Sequence, residues 1–217
     1  MDLGQELIFL IEGLPLTFSV SIIAFFVGLA IGLPLAFLRV YDREVGFIVD
    51  VYEKVFRGVP EIVLMLLIYF GLGPIFPFPF DNAFFVAALV LGLSSGADQS
   101  QIFRGAIRGV GDEQMVACQS IGCTKWQGIW HVMVPQVLTF STPSLGSEYA
   151  LLIKNSSYVW VIGILDIMQK AIYLKTSQYD TTGIFFIFAA VLYIALTFPI
   201  ALYLDRWGSK RKKKIGL

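Results

Sequence analysis

Polar side chains that could do chemistry interrupt two otherwise apolar stretches, at spacings that put them on one face of a helix. A charge at the centre of a bilayer costs roughly 2.5–3.5 kcal/mol on insertion scales, so such residues usually face a cavity or a partner. Two polar faces, each with a carboxylate, could therefore line one hydrophilic pathway. The polar positions are Ser94, Asp98 and Gln101 in the first stretch, and Ser144, Glu148 and Asn155, with Lys154 beside them, in the second.

The carboxylates of Asp98 and Glu148 would favour a cationic group, such as the ammonium of an amino acid, and a basic side chain would fit still better. The structural alternative is that these acids pair with Lys154 or Arg104 and only hold the helices together. A third interpretation uses Asp98, Glu148 and Lys154 as a proton or sodium relay in an ion-coupled secondary transporter or channel. The residue types alone leave these alternatives open.

Motifs of nucleotide binding and of common hydrolases are missing from the sequence. It contains no G-x-x-x-x-G-K-[ST], no H-E-x-x-H and no G-x-S-x-G, so we expect neither an ATP site nor an enzyme. Cys118 and Cys123 have only His131 near them in the sequence, which is too few ligands for zinc, so no metal site is expected. We expect the two cysteines to be reduced thiols. A net charge of zero gives no basic footprint for nucleic acid.

The polar stretch 104–136 begins with the signals of a short helix. Asp112 can accept hydrogen bonds from the first-turn N–H groups of a helix over about 113–121. Gly122 can end that helix, because glycine adopts the left-handed conformation without a Cβ penalty. The stretch therefore predicts a helix followed by a sharp bend.

A second short helix follows the bend. Thr124 and Gln127 have the spacing of a capping box, in which each side chain satisfies a backbone N–H of the first turn. Trp126 begins an apolar stripe at helical spacing, and Pro135 is predicted to limit the helix at its C-terminal end. Two short helices joined by a bend are too polar to span a bilayer and would form a rigid element that docks on something.

Hydrophobic residues make up 57% of the 217 residues, and the mean hydropathy is +0.75. Soluble domains contain about 45–50% apolar residues, and a helix needs roughly 20 of them to cross a bilayer core of about 30 Å. The predicted fold is therefore an all-α bundle of membrane helices that forms a single domain over 1–217. We predict five spans, at about 14–38, 59–73, 83–103, 142–165 and 183–204.

Lysine and arginine are distributed unevenly among the segments between these spans. Their numbers are 4, 3 and 6 in segments 39–57, 104–138 and 206–214, and 0, 0 and 2 in segments 1–13, 71–81 and 165–182. The positive-inside rule places the first group in the cytoplasm. Five spans satisfy this pattern with the N-terminus outside and the C-terminus inside. The charged segment 39–58 is then predicted to be a cytoplasmic loop.

The bent stretch, over residues 111–135, resembles the "EAA" loop found in permease subunits of ABC importers. The resemblance is carried by Gln114, Ala117 and Gly122, and by Val134-Pro135-Gln136. In that family, the loop is the cytoplasmic coupling element that sits in a groove of the ATPase subunit. The alternative is an amphipathic loop that lies on the membrane surface.

Three further segments resemble the amino-acid subfamily of these permeases. The stretch 57–73 reads RGVPEIVLMLLIYFGLG and is similar to an "RGTP…Y-F-G" signature at the second helix. The stretch 102–107 is similar to the segment that leads into the EAA loop, and 152–157 is similar to "IKDTSL". With the loop, the similarity runs from about 10 to 205. It implies a type I importer permease for polar amino acids, with a five-helix core, that works as a dimer.

The resemblance also implies partners and roles for residues. The partners would be ATP-binding cassette ATPase subunits, a second permease copy or a paralogue, an extracellular solute-binding protein, an amino-acid substrate and the lipid bilayer of the cell membrane. ATP and magnesium would be bound by the partner ATPase, with no cofactor in this chain. The predicted coupling residues are Gln114, Ala117, Gly122, Thr124 and Trp126. The predicted substrate-pathway residues are Asp98, Gln101, Glu148, Asn155 and Lys154.

Overall fold

The structure is a computed structural model, and it describes residues 3–177 and 182–214. Every regular element in these residues is helical, which confirms the predicted all-α class. Two π-helical turns, Leu67–Leu72 and Gly128–Met133, follow α4 and α8, and a 3-10 turn, Ser157–Ile162, follows α9. The α-helices are α1 (Leu3–Ile11), α2 (Leu14–Tyr41), α3 (Arg43–Gly58), α4 (Glu61–Leu66), α5 (Pro77–Phe80), α6 (Ala83–Val110), α7 (Glu113–Ser120), α8 (Lys125–Gln127), α9 (Val134–Ser156), α10 (Ile167–Ser177) and α11 (Thr182–Lys214).

Three helical segments in the described residues are long and apolar enough to cross a bilayer, namely Leu3–Tyr41, Ala83–Val110 and Gly183–Lys210. Two more spans result if each of two bent helix pairs counts as one. The first pair is α3 with α4 and its π turn, bent by 96°. The second joins Lys125–Ile162 to α10 and is bent by 54°. Membrane-spanning helices are therefore confirmed, while the number five stays a prediction.

Helix α6 lies inside the bundle, where it packs closely against α2. A Cβ added to Gly32 would lie 2.8 Å from the Gly96 carbonyl oxygen, and one added to Gly28 would lie 2.6 Å from the Gln99 side chain. Small residues allow such close approach of helices in lipid. Of the most apolar 18 residues of α6, 67% are buried, compared with 17% of the corresponding residues of α11. The polar face of α6 therefore points at other helices of the protein.

The segment 39–58 is not a loop, so that prediction was wrong. It is mostly occupied by α3, whose N-terminus is capped by Asp42 accepting from the Glu44 backbone N–H at 3.0 Å. Glu53 of α3 bonds to α6, whereas Phe47 and Ile48 on the other side of α3 are 72% and 66% exposed. Some of the charges that suggested a solvated loop in the sequence instead form ion pairs within the protein.

The loop between α6 and α9 confirms the predicted bend and the predicted capping box. Helix α7 ends before Gly122, whose φ of +90° lies in the left-handed region that favours glycine. The Gln127 backbone N–H donates to Thr124 Oγ1 at 3.3 Å, and the Thr124 backbone N–H donates to Gln127 Oε1 at 2.8 Å. The loop is therefore held by local hydrogen bonds that its own sequence encodes.

Three details of this loop contradict the predictions. Asp112 makes no side-chain capping bond, because its backbone is already helical, with φ −72° and ψ −16°. Pro135 does not end a helix but lies in the first turn of α9, where its missing N–H is not needed. Cys118 and Cys123 form a disulfide instead of two reduced thiols. The turn at Gly122 brings their Cα atoms to 5.4 Å, within the usual range for a disulfide.

Candidate functional site

A sharp corner between α3 and α4 creates the polar site. Val59 is extended, with φ −101° and ψ 127°, because the proline that follows it disfavours the α conformation. Pro60 is also non-helical, so the two helices meet at 96°. Arg57 lies just before this corner and Glu61 just after it, and both line its inner side.

The first contact of the corner with α6 is an ion pair. Arg57 Nε donates to Asp98 Oδ1 at 2.7 Å, and the two side chains are 43% and 29% exposed. The Arg57 guanidinium has five N–H donors in all, so it keeps donors that can face a ligand. Asp98 therefore pairs with an arginine of the protein, Arg57, and not with Lys154 or Arg104, the partners suggested by the sequence, and its role in a pathway stays a prediction.

A second, deeper contact gathers three donors from α6 around Glu53. Its Oε1 accepts from Ser100 Oγ at 2.8 Å, and its Oε2 accepts from Arg104 Nη2 at 2.9 Å and from Gln101 Nε2 at 3.2 Å. The Glu53 side chain is only 5% exposed. Buried charges of this kind need such full pairing. The cluster therefore fixes α3 against the polar face of α6.

Helix α2 is tied to the same cluster. Arg39 Nε and Nη2 donate to the two carboxylate oxygens of Asp50 at 2.6 and 2.8 Å, a bidentate geometry. Arg104 Nη1 lies 3.8 Å from Asp50 and joins this pair to Glu53. Three helices thus meet in one network of charges.

A cavity of about 740 Å³ lies between α3, α4 and α6. Four carboxylates and three basic side chains contribute to its wall, so it can bind a small zwitterion or ion. The lining residues are Asp50, Glu53, Lys54, Phe56, Arg57, Gly58, Val59, Pro60, Glu61, Asp98, Gln101 and Arg104. Asp98 and Gln101 are thus brought together at one cavity.

The remaining predicted pathway residues lie on α9 at different depths. Asn155 reaches the cavity indirectly, since its Nδ2 donates to Glu61 Oε1 at 3.0 Å. Glu148 is 6% exposed and accepts from Ser95 Oγ at 2.7 Å, between α6 and α9 and outside the cavity lining. Lys154 lines a separate groove of about 490 Å³ between α9 and α11. In the part of the chain that the structure describes, Lys154 forms no ion pair with a carboxylate.

The coupling loop presents exposed residues on a packed base. Met115 and Cys118 of α7 are buried, and Met115 packs in a core cluster with Ile129 and Met133. Gln114, Ala117, Gly122, Thr124 and Trp126 are all exposed. The predicted coupling residues are therefore available to a partner on a base that is anchored to the membrane helices.

Sequence reasoning missed Glu53, Arg57 and Glu61 as site residues. The signal was present, because Asp50, Glu53 and Arg57 recur at helical spacing among apolar residues that occupy the other face. Such a pattern is the same for a surface helix and for a helix whose polar side faces a polar interior. The two cases can be distinguished only when the polar face of α6 is known to lie beside α3, because that face supplies the partners for these charges.

Membrane helices around a charged cavity, with a rigid loop of exposed residues beyond them, define the membrane subunit of a transporter. The family described as "Binding-protein-dependent transport system inner membrane component" matches residues 26–213, and the chain belongs to this family. Its fold and its relatives identify it as the permease subunit of an amino-acid ABC importer. It is a membrane protein and a transport component rather than an enzyme, and it works with a second permease subunit and ABC ATPase partners.

Relatives and solved structures agree with this assignment. The chain is 30% identical to the arginine transport system permease protein ArtQ of Bacillus subtilis over 173 residues, 79% of this chain and 78% of the relative. It is 31% identical to the putative glutamine transport system permease protein GlnP of Rickettsia prowazekii, over 81% and 80% of the two chains. A crystal structure of an amino acid ABC transporter with histidines matches with a TM-score of 0.78 and 28% identity, over 93% and 94%. The inward-facing MetNI methionine transporter shares the fold, with a TM-score of 0.81 at 18% identity, over 97% and 99%.

Proposed function

We propose that the cavity at the α3–α4 corner is this subunit's part of the substrate pathway. The observation that carries the proposal is that Asp98 and Gln101 line one cavity of about 740 Å³. Arg57 and Glu61, which the sequence analysis did not select, line the same cavity. Charged groups inside a membrane protein mark substrate or ion pathways. Asn155 contacts this wall through its hydrogen bond to Glu61. The pathway role predicted for Glu148 and Lys154 stays a prediction, since neither lines this cavity.

We propose five spans over a single domain of residues 1–217, with the N-terminus outside and the C-terminus in the cytoplasm. The proposal counts each bent helix pair as one span and keeps the three long spans. Under this arrangement, the loop with α7 and α8 and the basic end of α11 both lie in the cytoplasm, as the positive-inside rule requires.

The loop is proposed to couple the bundle to ATP hydrolysis in the partner. Gln114, Ala117, Gly122, Thr124 and Trp126 would contact the ATPase groove, while ATP and magnesium are bound by the ATPase alone. When the two ATPase subunits close, they move the loop of each permease subunit. The packed base around Met115 transmits that movement to the membrane helices. The driving energy comes from the different affinities of the ATPases for the two states of the bundle.

An extracellular solute-binding protein is proposed to deliver a polar amino acid to the outer side of the paired permeases. The rival is an ion-coupled secondary transporter, which would use acids such as Asp98 as a relay. The two differ in their source of energy. Uptake by the rival needs only an ion gradient, whereas uptake by the importer needs a partner ATPase and ATP.

The test reconstitutes the chain in proteoliposomes with its ATPase and its binding protein. Asp98→Asn should lower ATP-dependent uptake of the amino acid at least about tenfold, because it removes a charged partner of Arg57 at the cavity wall. Asp205→Asn, at an exposed position of α11, is the matched control and should transport normally. Uptake that an ion gradient alone drives, or a normal rate in Asp98→Asn, would contradict the proposal.

A further inference from the structure

The charges that line the cavity are not evenly paired. Asp50, Glu53 and Asp98 each form an ion pair with an arginine. Glu61 is the fourth carboxylate of the lining, and in the described residues it has no ion pair. The cavity thus presents one acid whose negative charge the protein leaves without a cation.

The position of Glu61 is nevertheless fixed by the fold. It begins α4 directly after the corner at Pro60, and its side chain is half-buried. Asn155 Nδ2 donates to its Oε1 at 3.0 Å, which orients the carboxylate. A neutral amide satisfies one oxygen but does not neutralise the charge, so Oε2 remains for a ligand.

Lys54 is the one basic residue of the lining for which no ion pair is described. It lies on α3 one helical turn from Asp50, and its side chain is exposed. Among the described residues, Lys54 forms no ion pair with Glu61, so it does not replace the missing partner. Charged residues inside a membrane protein usually face a partner or a cavity, so an unpaired carboxylate in this wall favours a cation that enters the cavity.

The charged side chains of the cavity can be matched to the charged groups of an amino acid that has a basic side chain. Its carboxylate and its α-ammonium lie close together in the molecule, as do Arg57 and Asp98, whose atoms are 2.7 Å apart. The carboxylate therefore fits the free donors of Arg57, and the α-ammonium fits Asp98. Glu61, on the next helix, is left for a charge at the end of a side chain.

We propose that Glu61, oriented by Asn155, binds the cationic side chain of the substrate and makes the cavity selective for basic amino acids. The inference rests on the proposed pathway, since it assigns a substrate class to the same cavity. It assigns selectivity to a residue of α4 and not to the buried carboxylate of Glu148.

The test measures equilibrium binding to the assembled permease–ATPase complex without the binding protein, so that only the cavity selects. The probes are arginine and citrulline, which have similar shapes but differ in the charge of the side chain. Wild type should bind arginine at least about tenfold more tightly than citrulline, equivalent to about 1.4 kcal/mol. Glu61→Gln should raise the arginine Kd about tenfold and change the citrulline Kd less than about twofold.

Two controls distinguish a specific loss of arginine binding from a general effect of the substitution. Glu44→Gln removes an exposed glutamate of α3 outside the cavity and should keep the wild-type preference. Thermal unfolding of the Glu61→Gln complex should match that of wild type, since a glutamine can still accept the hydrogen bond from Asn155.

An equal loss of affinity for arginine and citrulline would show that Glu61 binds the α-ammonium or has a structural role. Either result would overturn the inference. A complex that falls apart in Glu61→Gln would overturn it too, because Glu61 would then hold the complex together rather than bind a ligand. Absence of binding of either amino acid to wild type and to Glu44→Gln would instead overturn the proposed pathway.

Discussion

The buried cluster around Glu53 makes a quantitative prediction about how α3 is held. In Glu53→Gln, the oxygen that accepts from Arg104 and Gln101 is replaced by an NH₂ group, or the amide turns and faces Ser100 instead. Either way, the negative charge that pairs with Arg104 is lost. Among the described residues, Arg104 then keeps only Asp50, at 3.8 Å, as an ionic partner.

Breaking one side of a buried ion pair costs about 3–5 kcal/mol in proteins. Arg104 is 18% exposed, so some solvent reaches it, and we expect the lower end, about 3 kcal/mol of unfolding free energy. At roughly 2–4 °C per kcal/mol for a chain of this size, the melting temperature should fall by roughly 6–12 °C. Uptake should fall as well, since α3 forms a wall of the cavity.

Thermal unfolding of the detergent-solubilised complex, followed by intrinsic fluorescence, measures this change. The matched control is Glu44→Gln, at an exposed position at the start of the same helix, where a loss below about 1 kcal/mol is expected. Adding Arg104→Met to Glu53→Gln should cost less than the sum of the single changes, because both remove the same interaction. A melting temperature in Glu53→Gln equal to that of the control would refute the reasoning that α3 is fixed by this cluster.

Two further predictions concern the loop and α9. Gly122→Val should abolish uptake while membrane insertion stays intact, because a β-branched residue at φ +90° costs roughly 1–3 kcal/mol of local strain. Gly105→Ala, where an added Cβ meets open space, is its control, and normal transport by Gly122→Val would contradict the proposed role of the bend in coupling. If Glu148, which binds Ser95 outside the cavity lining, only holds α6 to α9, Glu148→Gln should lower uptake of cationic and neutral amino acids by the same factor. A selective loss for cationic substrates, measured in paired uptake assays, would place Glu148 in the pathway.

Local signals in the sequence predicted the elements that depend on few neighbours. The bend at Gly122 and the capping box of Thr124 follow from backbone conformations and hydrogen bonds within four residues. The apolar stretches and the helical class follow from hydropathy in the same way. These features need no knowledge of how distant helices pack.

Features set by packing could not be predicted from single stretches. The charges of α3 find their partners on α6, some 40 to 50 residues further along the chain, as for Glu53 with Ser100 at a separation of 47. Neighbouring residues on a helix point about 100° apart, so Asn155 reaches Glu61 while Lys154 faces the groove next to α11. Pro135 was misplaced because a proline limits one helix and starts another with equal ease.

The most direct test of coupling through the loop is site-specific photo-crosslinking in the assembled transporter. A photoreactive amino acid at Gln114, on the exposed side of α7, should crosslink to the ATPase subunit. The same group at Phe78, which is 91% exposed on the side proposed to face outward, should not. A crosslink from position 78 to the ATPase, with none from position 114, would contradict the proposed orientation and the role of the loop.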